Sequence, residues 1–193
     1  MVKTGKIQSI SYTLDELRPI RSSVDQCRSY LVRFIEQYKS IDLLNLETRL
    51  LSRCVYKNWN ARRAELGIQA SRRTVRLLEQ FLLKREQNLE QILTEFKSDE
   101  IRMSLPSRGT INQLLTNLEE SSLLLTKIKR LSRTTVDRLR LECSRGNYVH
   151  YNILIMSLCS RIHFLVVALE KTQGDFCFNV KNLIKIFKKK SKE

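Results

Sequence analysis

Arg49, Arg53, Tyr56, Lys57, Asn60 and Arg63 place cations, an aromatic ring and an amide along one short helical stretch. On a wheel turning about 100° per residue, all of them except Lys57 gather on one side. Guanidinium groups suit fixed, two-pronged contacts to phosphate. A tyrosine ring or an amide can engage unpaired bases or ribose 2′-hydroxyls. Arg72, Arg73 and Arg76 carry the cluster onward, and Glu65 is the only acid between positions 49 and 76. The chemistry such a stripe would do is contact with a polyanion. The plainer reading is a solvated helix face, with Trp59 packing at the border of the apolar side.

The other half of that wheel is apolar, with Leu43, Leu50, Leu51, Cys54 and Val55, and Asn58 lands near its middle. An amide left unpaired there would cost roughly 1–3 kcal/mol, so it needs a partner. Asn147, His150, Ser157 and Arg161 recur at threes and fours further along the chain and form one narrow strip. The expectation is a structural polar network of Asn58, Arg62, His150 and Arg161 that fixes helix register.

Enzymatic chemistry has no comparable constellation. His150 and His163 fall on different sides of one apolar helix, and zincin, nucleophile-elbow, Walker and dinucleotide patterns are absent. Cys27, Cys54, Cys143, Cys159 and Cys177 are odd in number, widely spaced and never in a C-x-x-C pair. The sequence therefore predicts no catalytic residue, no metal, no cofactor and no small-molecule substrate.

These residues need elements to position them. The chain has 193 residues, with 5 glycines and 2 prolines, which favours long helices over a sheet. Its formal charge of +15 favours nucleic acid or an anionic surface as partner. Residues 1–11 read as a loose basic arm, 12–187 as one helical domain and 188–193 as a lysine-rich tail. A first helix buries Val24, Leu31, Phe34, Ile35 and Tyr38; Pro19 sets its start near Ser22 or breaks an earlier start capped by Thr13. A second helix starts near Asp42 and weakens at Gly67. The third carries the coiled-coil-like seam Ile68, Val75, Leu78, Leu82, Leu89, Ile92 and Phe96. After a break over 98–109, Thr110 caps a fourth helix that ends at Gly146. An apolar helix over 148–171 follows, then Gly174 and a last basic helix over 178–187. Strand-like alternation shows only at 176–180. The expected fold is all-α, a single-domain bundle of five to six long helices with a buried apolar helix near the C-terminus. That apolar run holds Arg161 near its centre, which would cost roughly 2.5–3.5 kcal/mol at mid-membrane, so no membrane partner is expected. Residues 1–10 are polar and basic, and an intracellular, reduced protein is expected.

The run Lys57-Asn58-Trp59-Asn60-Ala61-Arg62-Arg63 after a leucine-rich helix resembles a motif of the nucleolus and neural progenitor protein (Nepro) family and the related fungal ribonuclease MRP-specific subunit. Lys57, Asn58, Asn60 and Arg63 match the motif, while Ala61 and Arg62 stand where it has Gln and His. Residues 148–170, with Ser160-Arg161 in an apolar run, resemble the family's second landmark. The resemblance covers about a third of the chain. It implies a helical, non-catalytic protein subunit of a ribonuclease MRP-type ribonucleoprotein that processes precursor ribosomal RNA in the nucleolus of the nucleus. The implied partners are structured RNA (ribonuclease MRP-type RNA) and other protein subunits of the particle. The alternative is a coiled-coil scaffold or adaptor subunit of a nuclear or cytoskeletal complex, its basic faces meeting acidic proteins.

Overall fold

Apolar residues recurring every three or four positions close into helices α1 (Arg21–Tyr38), α2 (Ser40–Arg62), α3 (Leu66–Leu83), α4 (Arg108–Ser144) and α5 (Val149–Lys190). The computed structural model describes residues 9–13, 21–38, 40–84 and 102–190. The fold is all-α, as expected, with a buried face on the apolar C-terminal helix. One small addition was not anticipated. Strand β1 (Ser9–Thr13) pairs antiparallel with β2 (Arg102–Pro106), Ser9 opposite Pro106 and Thr13 opposite Arg102. Thr13 thus ends a strand, and the helix start expected at Thr13–Glu16 lies outside the described residues. Neither segment alternates clearly enough to announce a strand, because a ribbon of two strands is fixed by its pairing partner.

The chain forms two compact units. One comprises the ribbon, most of α1, residues 108–120 of α4 and residues 172–190 of α5. It buries Val24, Cys27 and Leu31 of α1, Ile111, Leu114 and Leu118 of α4, and Phe176, Val180 and Ile184 of α5. The other comprises α2, α3, residues 121–144 of α4 and residues 149–171 of α5, four helical segments around one core. That core holds Leu44, Leu51, Val55, Ile68, Leu78, Phe81, Leu125, Ile128, Leu139, Ile155, Ile162 and Val166.

Helix ends follow their local chemistry, with two corrections. The cap of α4 is Ser107, not Thr110: the Ser107 Oγ accepts the Thr110 N–H at 3.2 Å. Its C-terminus closes as a Schellman turn. Gly146 has φ +76°, its N–H donates to the Cys143 carbonyl, and Asn147 N–H donates to the Glu142 carbonyl. Gly174 was expected to separate two helices, yet α5 runs through it. A helical glycine costs only about 1 kcal/mol relative to alanine, and burial of Leu169, Phe176 and Val180 on either side offsets that. Residues 176–180, the strand-like run, are helical for the same reason. Leu89, Ile92 and Phe96 of the expected seam lie outside the described residues.

Helix α2 buries a face rotated from the expected one. Leu44, Leu51, Val55 and Arg62 are inside, whereas Leu43, Leu46 and Leu50 are 48, 53 and 36 % exposed. The cause is tertiary: α2 contacts α3 on one flank and α5 on the other, and the line between those neighbours sets its inward direction.

Candidate functional site

Helices α2 and α3 form a hairpin through residues 63–65, where Glu65 N–H donates to the Arg62 carbonyl at 3.0 Å. So short a connection makes the two helices antiparallel neighbours. No side chain within the hairpin caps α3. Glu142 of α4 does so instead, its Oε1 accepting the Gly67 N–H at 3.0 Å, an anion at the positive end of the helix dipole.

Arg62 locks this corner. Its side chain is fully buried. Its Nε lies 2.8 and 2.9 Å from the two Glu65 oxygens, its Nη2 also meets Glu65, and Nη2 donates to Asn152 Oδ1 at 2.6 Å. Glu142 Oε2 stands 3.4 Å from the same nitrogen. The guanidinium carbon lies 4.3 Å from the Tyr148 ring centre and 5.2 Å from that of Tyr151. Among the described residues Arg62 Nη1 has no hydrogen-bond partner; contact with the electron-rich ring faces offsets part of that cost. Burial would push the guanidinium pKa down, but the Glu65 hydrogen bond and the Glu65 and Glu142 charges raise it above its ordinary value. The hydrogen bond from Arg62 holds the Glu65 carboxyl below its usual range. Burial pushes Glu142 up, against the Gly67 hydrogen bond.

A buried polar network therefore exists and includes Arg62, as expected, but most of its other members differ. Asn58 is half-buried; its Nδ2 donates to the Cys54 carbonyl at 3.3 Å, and its side chain also hydrogen-bonds Tyr151 of α5, so it does meet the apolar helix, though at Tyr151 and not at the expected strip. His150 is exposed and outside the network. Arg161 is 57 % exposed at its side chain, with Nη2 2.9 Å from the buried Glu47. Arg62 is the hub, joined by Asn152, Glu65 and Glu142. A signal for it was present: Arg62 lies seven residues after Val55 and eleven after Leu51, hence on their face of the helix. An arginine on a core face requires acceptors. Which acids supply them is a long-range matter that spacing does not carry.

On its outer side the hairpin forms a groove. Arg49 and Arg53 of α2 line a cavity of about 530 Å³ with Glu79, Leu82 and Leu83 of α3. Tyr56 and Trp59 of α2 line an adjoining one of about 270 Å³ with Arg72 and Arg76 of α3. Ser52 and Glu79 belong to both. The structure thus brings together Arg49, Arg53, Tyr56, Arg72 and Arg76. Lys57, Asn60, Arg63 and Arg73 are exposed but line neither cavity. Among the described residues none of these arginines is held in an ion pair. Arg72 instead stands over an indole, its guanidinium carbon 3.9 Å from the Trp59 ring centre. That pairing joins two helices and is invisible in the sequence.

Elsewhere, His163 Nδ1 lies 3.3 Å from both Ser132 Oγ and the Lys129 carbonyl. Burial pushes the Cys27 and Cys159 thiols up to about 12. Among the described residues no three His, Cys, Asp or Glu side chains gather as a metal site. Helix α5 is the one described helix long and apolar enough by composition to cross a membrane. No family model, curated protein or solved structure matches the chain.

Proposed function

We propose that the chain is a non-catalytic RNA-binding subunit of a ribonuclease MRP-type ribonucleoprotein, acting on precursor ribosomal RNA in the nucleolus. The observation that carries the RNA part is the α2–α3 groove. Five of the cationic and aromatic side chains singled out by type converge there from two helices: Arg49, Arg53, Tyr56, Arg72 and Arg76. Unpaired guanidinium groups on a chain of formal charge +15 suit a phosphate backbone. The resemblance of residues 57–63 to the Nepro motif supplies the particle. Catalysis in this reading belongs to the RNA, and the protein needs neither cofactor nor small-molecule substrate. Helix α5 serves as a core element, supported by the buried Ile155, Leu158, Ile162 and Val166 along one face and by Arg161 and His163 within the span.

The test is a salt titration of RNA binding by the full chain and by an Arg53→Ala/Arg76→Ala variant. Each lost phosphate contact should reduce the slope of log K against log salt by about 0.7–0.9, with thermal stability nearly unchanged because Arg53 and Arg76 are exposed. An unaltered slope would count against the groove.

A second reading has its own support. Leu43, Leu46 and Leu50 of α2, with Leu154 and Phe164 of α5, leave large apolar side chains exposed. A scaffold subunit of a protein complex would use such side chains, and so would an RNA-binding subunit that docks on protein neighbours. Purified protein distinguishes the two: an RNA-binding subunit carries nuclease-sensitive nucleic acid, and a pure scaffold does not.

A further inference from the structure

The two cavities of the groove differ in chemistry. The larger is edged by Arg49 and Arg53, both exposed. The smaller has an apolar floor of Val55 and Val75, each nearly fully buried, and a wall made by Arg72 on Trp59. The Arg72 guanidinium carbon stands over the indole at 3.9 Å, and this contact holds the group beside the ring. A guanidinium held beside an indole can serve as a platform for a second ring, since Arg planes stack with bases as aromatic rings do. Tyr56, one turn before Trp59 on α2, is 84 % exposed and adds a second aromatic surface at the same cavity. The volume, about 270 Å³, lies below the ~300–1,000 Å³ of sites for drug-sized ligands and suits one planar ring system.

Glu79 decides what kind of group enters. It stands at the junction of both cavities and, among the described residues, pairs with no arginine. A carboxylate repels phosphate, but it accepts a hydrogen bond from an exocyclic amine such as cytosine N4. Ser52 at the same edge both donates and accepts.

We propose that the Tyr56–Trp59–Arg72–Glu79 cavity takes one unpaired nucleobase bearing an exocyclic amino group, while Arg49 and Arg53 hold the adjoining phosphates. This rests on the RNA reading above and narrows it: the groove grips a single-stranded or looped-out nucleotide, and uracil fits least well because it offers no amine.

Trp59 is the chain's only tryptophan, so its fluorescence reports on the cavity directly. The full chain is titrated with labelled single-stranded oligocytidylate, oligouridylate and an abasic ribose-phosphate oligomer of equal length, following anisotropy and Trp59 emission together. Oligocytidylate should quench Trp59 in step with binding. It should bind roughly tenfold more tightly than oligouridylate, and the abasic oligomer more weakly still. Tyr56→Ala and Arg72→Lys should each lose about tenfold towards oligocytidylate and little towards the abasic oligomer, the lysine keeping the charge but not the plane. Glu79→Gln should bring cytidylate and uridylate together, since an amide can also donate to a uracil carbonyl. Tyr56 and Glu79 are exposed, so these changes leave the core intact. Equal affinity for abasic and base-bearing oligomers, or no response to Arg72→Lys, overturns the base site and leaves the RNA reading standing. Failure of all three polymers to bind overturns the base site, and the salt titration with structured RNA then decides the RNA reading.

Discussion

Arg62 shows how much one side chain can commit. Its guanidinium joins the last turn of α2 to Glu65 in the hairpin, Glu142 on α4 and Asn152 on α5. Arg62→Met would leave Glu142 and Asn152 desolvated without their donor. Removal of one member of a buried charged network costs about 3–5 kcal/mol, to be read by chemical denaturation. The neighbouring Arg63→Met is the control: Arg63 is exposed, and a change within about 0.5 kcal/mol is expected. Equal effects at the two positions would show that Arg62 is not the hub. The same cluster predicts a pH dependence. The folded pKa of Glu65 is lowered by its Arg62 hydrogen bond, so its contribution is complete above the ordinary value of 4.5 and is lost as pH falls through the lowered value. Glu142, raised by burial, runs the other way: its contribution is present below 4.5 and is lost as pH rises through its raised value. Glu65→Gln should therefore cost roughly 1.5–3 kcal/mol at neutral pH, where a charge-assisted bond is lost. That gap should close in acid below 4.5; a gap independent of pH in melting experiments would contradict the assignment.

Two glycines separate what a helix needs from what its packing needs. At Gly174 an added Cβ would meet nothing within 4 Å among the described residues, so Gly174→Ala should stabilise α5 by about 0.5–1 kcal/mol. At Gly67 the same atom would stand 2.6 Å from Leu139 Cδ2 and 3.0 Å from Glu142 Oε1. Gly67→Ala should instead destabilise by about 1–3 kcal/mol, because Leu139 and Glu142 of α4 must give way to the added methyl. Thermal melts of the two variants should move in opposite directions. Sequence pattern treated both glycines alike, as places where helices weaken. Local propensity could not tell them apart, since the difference lies in what stands opposite each residue.

Across the whole molecule, the charge of +15 is not spread evenly in its consequences. Glu142 and Glu65 neutralise Arg62, Glu170 meets Lys129, and Glu119 lies 2.7 Å from Lys181. These four acids are thus engaged away from the groove, while among the described residues Arg49, Arg53 and Arg76 have no ion-pair partner. A bound polyanion should then stabilise the fold by mass action. At about 100 times Kd, RNA should add about 2.7 kcal/mol, seen as a raised melting temperature. High salt should abolish that increment by weakening binding. An increment that survives high salt would point to a ligand held by other than phosphate contacts.

The helical class, the cationic stripe of α2 and the burial of Ile111, Leu114, Leu118, Leu125 and Ile128 on α4 were determined by the sequence itself, because each depends on a period of 3.6 residues read along a single stretch. The same is true of the Gly146 turn, where one residue supplies the left-handed backbone. Tertiary structure decided which way α2 faces, which acceptors Arg62 finds in the interior, that Trp59 meets Arg72, and that Ser9–Thr13 pairs with Arg102–Pro106. Each of those outcomes joins residues far apart in the chain. Their energies depend on distances that only packing sets, so no local repeat could have carried them.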